Sequence, residues 1–139
     1  MKIFLRVILI LSIFFSIGTA LDYKQTKRME LKKDEEKKIL VNYNGISKLF
    51  KFRWTLFVND GLVIHKSYDR VVSQNILYTR DNNNFIKLRL KSSGATRYEP
   101  PYFLLKFKEF DYETNKAVLE LFLYDRDGII RLEYLDKTQ

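Results

Sequence analysis

The single histidine, His65, is the first residue to test for chemistry, because imidazole acts as a base or a metal ligand near neutral pH. The chain has one His and no Cys among its 139 residues. A zinc site needs three or four nitrogen or sulfur ligands, and thiol catalysis needs a cysteine. No serine lies in the G-x-S-x-G motif that presents a nucleophile. The sequence therefore predicts no metal site, no cofactor and no catalytic residue.

Acidic residues offer two further chemistries, calcium binding and glycoside hydrolysis. "DRDG" at 125–128 resembles part of an EF-hand loop, but aligning its Gly puts Leu123 and Tyr134 at positions 1 and 12, which require carboxylates. It is better explained as a type I turn. Any two of the 17 acids could form a hydrolytic pair, yet no spacing selects one. We expect a protein that is not an enzyme, with a small envelope hydrolase using a carboxylate pair as an alternative.

Basic and aromatic residues are the candidates for binding. "FKFRWTLFVNDG" at 50–61 puts Lys51 and Arg53 on one side of a strand. Residues two apart in a strand point the same way, so a second basic row spans about 13 Å from 87 to 91. The loop "SSGATRYEPPY" at 92–102 adds Arg and Tyr, which recur at binding hot spots. The predicted binding residues are Lys51, Arg53, Lys87, Arg89, Lys91, Arg97, Tyr98 and Tyr102.

The distribution of rings argues against a nucleic-acid partner. A stacking platform places rings and cations together on the wet face of a sheet. Here Phe50, Phe52, Trp54, Leu56 and Val58 alternate with Lys51, Arg53, Thr55 and Phe57, so most rings fall opposite the cations. We expect Trp54 to be buried. Five rings remain on or near the predicted wet face, where they form a binding patch or are covered by loops, strand ends and the 21–35 segment: Phe57, Phe85, Phe110, Phe122 and Tyr124.

The elements that must position these residues are strands. Period-two alternation predicts nine of them, near 27–33, 37–43, 47–58, 62–69, 74–80, 85–91, 102–111, 117–124 and 129–135. Turns are predicted at "KKDEE", at 59–61, at "DNNN" (81–84), at "ETNK" (113–116) and at "DRDG". Strands joined this tightly are antiparallel. The fold class is all-β, a single-domain antiparallel β-sandwich or partly closed β-barrel of seven to nine strands over residues 21–139.

Two connections carry specific predictions. In the loop Asn59-Asp60-Gly61, Gly61 takes the left-handed conformation at a bulge, so that Val58 faces Leu62 and Leu56 faces Ile64. In the 92–102 loop, Pro100 and Pro101 stiffen the chain, and we expect this loop to cross from one sheet to the other.

The first 20 residues have the layout of a secretory signal peptide. Lys2 and Arg6 precede an apolar run from 7 to 17, and Gly18-Thr19-Ala20 offers small residues for cleavage after Ala20. The run is shorter than the roughly 20 residues of a membrane span. We expect a periplasmic or secreted protein with no stable span after cleavage; the alternative is an uncleaved anchor. The mature chain then carries 23 basic and 17 acidic residues, a charge of +6.

Charge and export together suggest the function. A positive excess attracts anionic partners over long range, although a Lys-rich composition alone would also produce it. We therefore expect an accessory or adaptor protein that binds an envelope protein or an anionic envelope polymer. Besides the hydrolase, the alternative is a lipocalin-like carrier of a small apolar ligand, which needs a cavity inside a barrel. The many bulky Phe, Leu and Ile residues predict a filled interior instead. The sequence does not set the oligomeric state.

Overall fold

The computed structural model describes residues 25–80, 82–90 and 100–136. The strands are β1 (Gln25–Lys32), β2 (Lys37–Tyr43), β3 (Ile46–Val58), β4 (Gly61–Tyr68), β5 (Val71–Tyr78), β6 (Phe85–Arg89), β7 (Tyr102–Asp111), β8 (Lys116–Tyr124) and β9 (Arg131–Tyr134). All nine predicted strands are confirmed, with their ends shifted by a few residues. Within the described ranges there is no helix, and so none able to cross a membrane. The predicted signal peptide, 1–20, lies outside these ranges.

The nine strands form two antiparallel sheets. β1, β8, β7 and β6 make a four-stranded sheet in that order, and β5, β4, β3, β2 and β9 make a five-stranded sheet. Every neighbouring pair is antiparallel. The sheets pack face to face in the manner of a β-sandwich. The sequence allowed a β-sandwich or a partly closed β-barrel, and the two separate sheets fit the sandwich.

The core lies between the sheets and is built from alternating apolar side chains of both. Phe50 of β3 and Phe103 of β7 bring their ring centroids to 5.3 Å, and Phe50 also stacks on Phe52 at 5.2 Å. Trp54 is buried, as predicted, with 2% of its surface exposed. Its indole N–H donates to the backbone oxygen of Leu31 in β1 at 2.8 Å. Strand β3 is therefore held to the opposite sheet by ring packing and by a buried hydrogen bond.

Three two-residue turns join neighbours within the five-stranded sheet. Asn44-Gly45, Asn59-Asp60 and Asp69-Arg70 have positive φ at both positions, between 48° and 73°. This is the geometry of type I′ hairpins, whose twist matches that of the flanking strands. Asn, Asp and Gly enter this region at low cost, so the residue types explain five of these six positions. The "ETNK" turn joins β7 to β8 and is also confirmed.

Several predicted turns do not join strands that pair with each other. The "KKDEE", "DNNN" and "DRDG" segments lie between consecutive strands, as predicted, but each joins strands that belong to different sheets. The 92–102 loop, predicted to cross between sheets, instead connects β6 and β7, which pair with each other. The physical reason is that turn residues set where a chain bends, whereas burial of the strand faces decides which strands pair.

The β3–β4 hairpin closes one residue earlier than predicted. Asn59 and Asp60 alone form the turn, Val58 pairs with Gly61, and the φ of Gly61 is not positive. The glycine serves close packing, because a Cβ at this position would lie 3.0 Å from the ring of Tyr78. The Asn-Asp pair supplies the positive φ values that the prediction had assigned to Gly61.

A β-bulge in β3 corrects the predicted faces of this strand. Trp54 pairs with Ile64, but Leu56 pairs with Val63, so Thr55 is the extra residue. A bulge reverses the alternation beyond it. Leu56 and Val58 therefore point outward, 49% and 51% exposed, and Phe57 packs against the core.

Candidate functional site: the outer face of strands β3 to β5

The predicted binding residues that the structure describes lie on two different surfaces. Lys51 and Arg53 of β3 lie on the outer face of the five-stranded sheet, since their neighbours Phe50, Phe52 and Trp54 point into the core. Lys87 and Arg89 of β6, and Tyr102 of β7, lie on the outer face of the four-stranded sheet. Lys91, Arg97 and Tyr98 fall outside the described ranges. The predicted set is therefore at least two patches on opposite sides of the sandwich.

On the four-stranded sheet, Lys87, the first basic residue of the predicted row, packs against an aromatic ring. The ammonium of Lys87 lies 4.3 Å from the centroid of the Tyr102 ring, a cation–π geometry. Tyr102 is 6% exposed and stacks on Tyr124 at 4.9 Å. Arg89 is exposed and opposite Tyr102. The predicted row from Lys87 to Arg89 is present, but Lys87 is already part of an aromatic stack.

On the five-stranded sheet, three adjacent strands present a surface with two distinct halves, which we call the β3–β5 face. Its residues follow the register of β3, β4 and β5 in four rows: Lys51, Ser67 and Val72; Arg53, His65 and Gln74; Leu56, Val63 and Ile76; Val58, Gly61 and Tyr78. The first two rows are mainly polar and basic, and the last two are apolar. Seven of the ten large apolar residues that are exposed in the described chain lie on β3 and β5.

The apolar half consists of large side chains that are partly exposed to solvent. Leu56, Val58 and Ile76 are about half exposed, at 49%, 51% and 48%. Tyr78 lies across Gly61 at 37% exposure. The apolar half exists because the bulge at Thr55 turns Leu56 and Val58 outward. Exposed apolar patches rimmed by polar residues are candidates for interaction surfaces.

The two cations of the basic half are not neutralised by ion pairs within the described structure. Neither Lys51 nor Arg53 forms an ion pair with any residue in the described part of the chain. Both line a shallow depression of about 260 Å³ together with Glu36 and His65. Glu36 instead pairs with Lys38 at 3.5 Å. A cation left unpaired at the rim of an apolar patch favours a partner that brings a carboxylate or another anion.

Strand β5 forms the border of this face, and the sequence prediction missed its first three residues. The predicted strand began at 74, whereas β5 begins at Val71, and Val71 and Val72 are 70% and 73% exposed. The signal was available in two adjacent β-branched residues following Asp69-Arg70. On the inner side, the ammonium of Lys66 donates to Ser73 at 2.6 Å and Asn75 at 2.8 Å. Burial lowers the pKa of Lys66.

An aromatic groove lies at one end of the sandwich. It contains Phe57 and Phe110, two of the five rings predicted on or near the wet face. Phe57 and Phe110 stack at 4.1 Å, with Trp54 edge-on to Phe110 at 5.6 Å. Together with Tyr112, which is 73% exposed, they line a depression of about 320 Å³. Both Phe57 and Phe110 pack against the core. Of the other three rings, Phe122 and Tyr124 are half-buried and Phe85 is 44% exposed.

Catalytic and metal-binding groups can be placed as well. Within the described residues no group of three His, Asp or Glu side chains converges as a metal site would require. Asp125, in the turn that resembled an EF-hand, is 2% exposed and one carboxylate oxygen accepts from the backbone N–H of Ile130 at 2.8 Å. Its other oxygen has no hydrogen-bond partner among the residues that the structure describes. Asp125 thus closes a turn, with Gly128 at φ 66° as predicted.

Comparison of the chain with protein-family models, with curated proteins and with solved structures gives no match.

Proposed function

We propose that this protein is an exported, non-enzymatic binding module, an accessory or adaptor protein that holds an acidic protein partner of the cell envelope on its β3–β5 face. The observation that carries the proposal is the junction on that face of an exposed apolar half with two cations, Lys51 and Arg53, that form no ion pair with described residues. Interfaces commonly combine an apolar centre with a charged rim that sets orientation.

A protein partner fits this face better than an anionic polymer does. A polymer of sugars and phosphates would satisfy the cations but would leave Leu56, Val58 and Ile76 facing water. An apolar surface on the partner removes them from water, which is the larger source of binding free energy. The acidic character of the partner follows from Lys51 and Arg53, and the attraction falls as salt rises.

The filled interior supports binding at the surface of the protein and argues against a carrier that holds a ligand inside. Phe50, Phe52, Phe103 and Phe107 are each 1% exposed or less and fill the space between the sheets. A carrier would need an apolar cavity of a few hundred Å³ there. The cell-envelope location rests on the signal-like segment 1–20, with cleavage after Ala20. Mass determination of the protein purified from its own cells tests this part, because retention of residues 1–20 would contradict a cleaved signal.

The test of the binding face uses two double variants with the same change in net charge. Lys51→Glu with Arg53→Glu alters the β3–β5 face, and Lys87→Glu with Arg89→Glu alters the opposite sheet. Tagged full-length chains are expressed in the native cells, and captured proteins are compared at low and high salt. We expect the first variant to lose its principal partner by at least about tenfold, the effect of 1.4 kcal/mol, and the second to keep it.

A third variant, Ile76→Asp, tests the apolar half independently of the basic half. It should weaken the same partner at high salt, where the ionic contribution is screened. Loss of the partner only in the Lys87 and Arg89 variant would show that the wrong sheet was chosen. Capture of a polysaccharide or a phosphate-rich polymer that is insensitive to Ile76→Asp would replace the protein partner by the polymer.

A further inference from the structure

Among the four sheet edges formed by the described residues, β5 is the least protected against pairing with another strand. Natural edges are shortened, charged or covered to prevent such pairing. β1 carries Lys27, Arg28, Glu30 and Lys32; β6 has five residues including Lys87 and Arg89; β9 has four residues including Arg131 and Glu133. β5 has eight residues, Val71–Tyr78, and none is charged. In the described structure β5 pairs with β4 as its one neighbouring strand, and on its outer edge the N–H of Tyr78, its last residue, donates to the backbone oxygen of Asn83 at 3.1 Å. The edge open to pairing is therefore Val71–Leu77.

The sequence of β5 is also symmetric about its centre. In "VVSQNIL", Val71 and Leu77 are equidistant from Gln74, as are Val72 and Ile76, and Ser73 and Asn75. An antiparallel copy centred on Gln74 therefore places apolar opposite apolar and polar opposite polar at every position. Directly opposed residues lie on the same face of a sheet and stabilise it through such pairs.

We infer that two copies of this chain associate through β5, pairing antiparallel about a twofold axis at Gln74, so that the two five-stranded sheets become one sheet of ten strands. Twofold symmetry requires a self-complementary surface, and the symmetric order of residues in β5 supplies one. A partner strand of another protein would not require that symmetry. The inference does not depend on the proposed function, because it concerns the edge of the sheet and not the cations of β3.

The alternative registers are less favourable. Centring on Asn75 would place Arg70 opposite Arg80 and Gln74 opposite Ile76, which opposes like charges and pairs polar with apolar. Centring on Ser73 would place Val72 opposite Gln74. In the Gln74 register, Arg70 lies opposite Tyr78. Both copies then present their β3–β5 faces on the same side of the continuous sheet.

The absence of cysteine from the chain makes the register directly testable. In full-length protein, Gln74→Cys puts two sulfur-bearing residues opposite each other, with Cα atoms about 4.5 to 5.5 Å apart, within the range that a disulfide spans. Asn75→Cys puts them about 8 Å apart, from the 4.8 Å strand spacing and two residue rises, which is too far. Glu133→Cys, on edge strand β9 of the same sheet, is the matched control.

Mild oxidation should give at least about tenfold more disulfide-linked dimer from Gln74→Cys than from Asn75→Cys or Glu133→Cys. Sedimentation analysis of the unsubstituted chain should show a concentration-dependent dimer. Val71→Lys lies outside the β3–β5 face and sets a charge opposite Leu77 of the second copy, so this variant should be monomeric while retaining the β-sheet circular dichroism spectrum. Equal cross-linking at all three positions, or a chain that stays monomeric at every concentration, would overturn the inference. A monomeric variant that still captures the envelope partner would separate this inference from the proposed function.

Discussion

Replacement of Trp54 by Phe tests how β3 is held to the opposite sheet. The indole N–H is the donor to the Leu31 backbone oxygen at 2.8 Å, and phenylalanine has no donor to replace it. The buried carbonyl is then left without this partner, at a cost of about 1–3 kcal/mol. The smaller ring also buries about 50 Å² less apolar surface, worth about 1 kcal/mol. We expect Trp54→Phe to lower the free energy of unfolding by about 2–4 kcal/mol.

Urea denaturation followed by far-UV circular dichroism measures this change, because the substitution removes the single tryptophan and its fluorescence. With a slope of about 2 kcal/mol per molar urea, the middle of the range for small proteins, the midpoint should fall by about 1–2 M. Phe50→Leu is the control. Phe50 is equally buried and packs across the same core, but it donates no hydrogen bond. Its loss should cost about 1 kcal/mol. If Trp54→Phe costs no more than Phe50→Leu, the hydrogen bond to β1 contributes nothing and the reasoning is refuted.

Two further predictions concern ionisable groups. Burial raises the pKa of Tyr68 above its ordinary value of about 10, and its hydroxyl donates to the Leu90 backbone oxygen at 2.8 Å. The stability it gives is full below pH 10 and is lost as pH rises toward its folded pKa. Tyr68→Phe should therefore cost about 1 kcal/mol at pH 7 and reduce the alkaline loss seen in denaturation curves. The Thr114 hydroxyl holds the pKa of Asp111 below its usual value, so the contribution of that carboxylate is lost as pH falls below about 4. Thr114→Val should raise the pKa of Asp111 in an NMR titration, and an unchanged value would contradict this.

The strands of this protein were predictable because the alternation of apolar and polar residues within each segment was enough to identify it. Phe103, Leu105 and Phe107 of β7, for example, are all buried while Lys108 is exposed. Local spacing of two residues per repeat determines that outcome. Turn positions were equally readable, since Asn, Asp and Gly mark places where the chain reverses.

Strand partners could not be predicted by the same reasoning. "DNNN" and "ETNK" have similar turn chemistry, yet the first carries the chain from one sheet to the other and the second closes a hairpin. The difference arises from where β6 buries Ile86 and where Leu90, the residue after it, is buried, which depends on all the other strands. The candidate site was the least predictable feature, because it combines side chains from strands whose order in the sheet was not known.

The bulge at Thr55 shows how the core and the β3–β5 face depend on each other. From Trp54 to Val58 the chain of β3 takes four steps, but their partners Ile64 and Gly61 in β4 are three steps apart. One end of this interval is fixed by the hydrogen bond from Trp54 to β1, and the other by the Asn59-Asp60 turn. With both ends fixed, one residue of β3 must remain unpaired, and the residues beyond it must change faces. The apolar half of the β3–β5 face is therefore a consequence of how Trp54 is anchored inside the sandwich, and a change that releases Trp54 alters the β3–β5 face as well as the core.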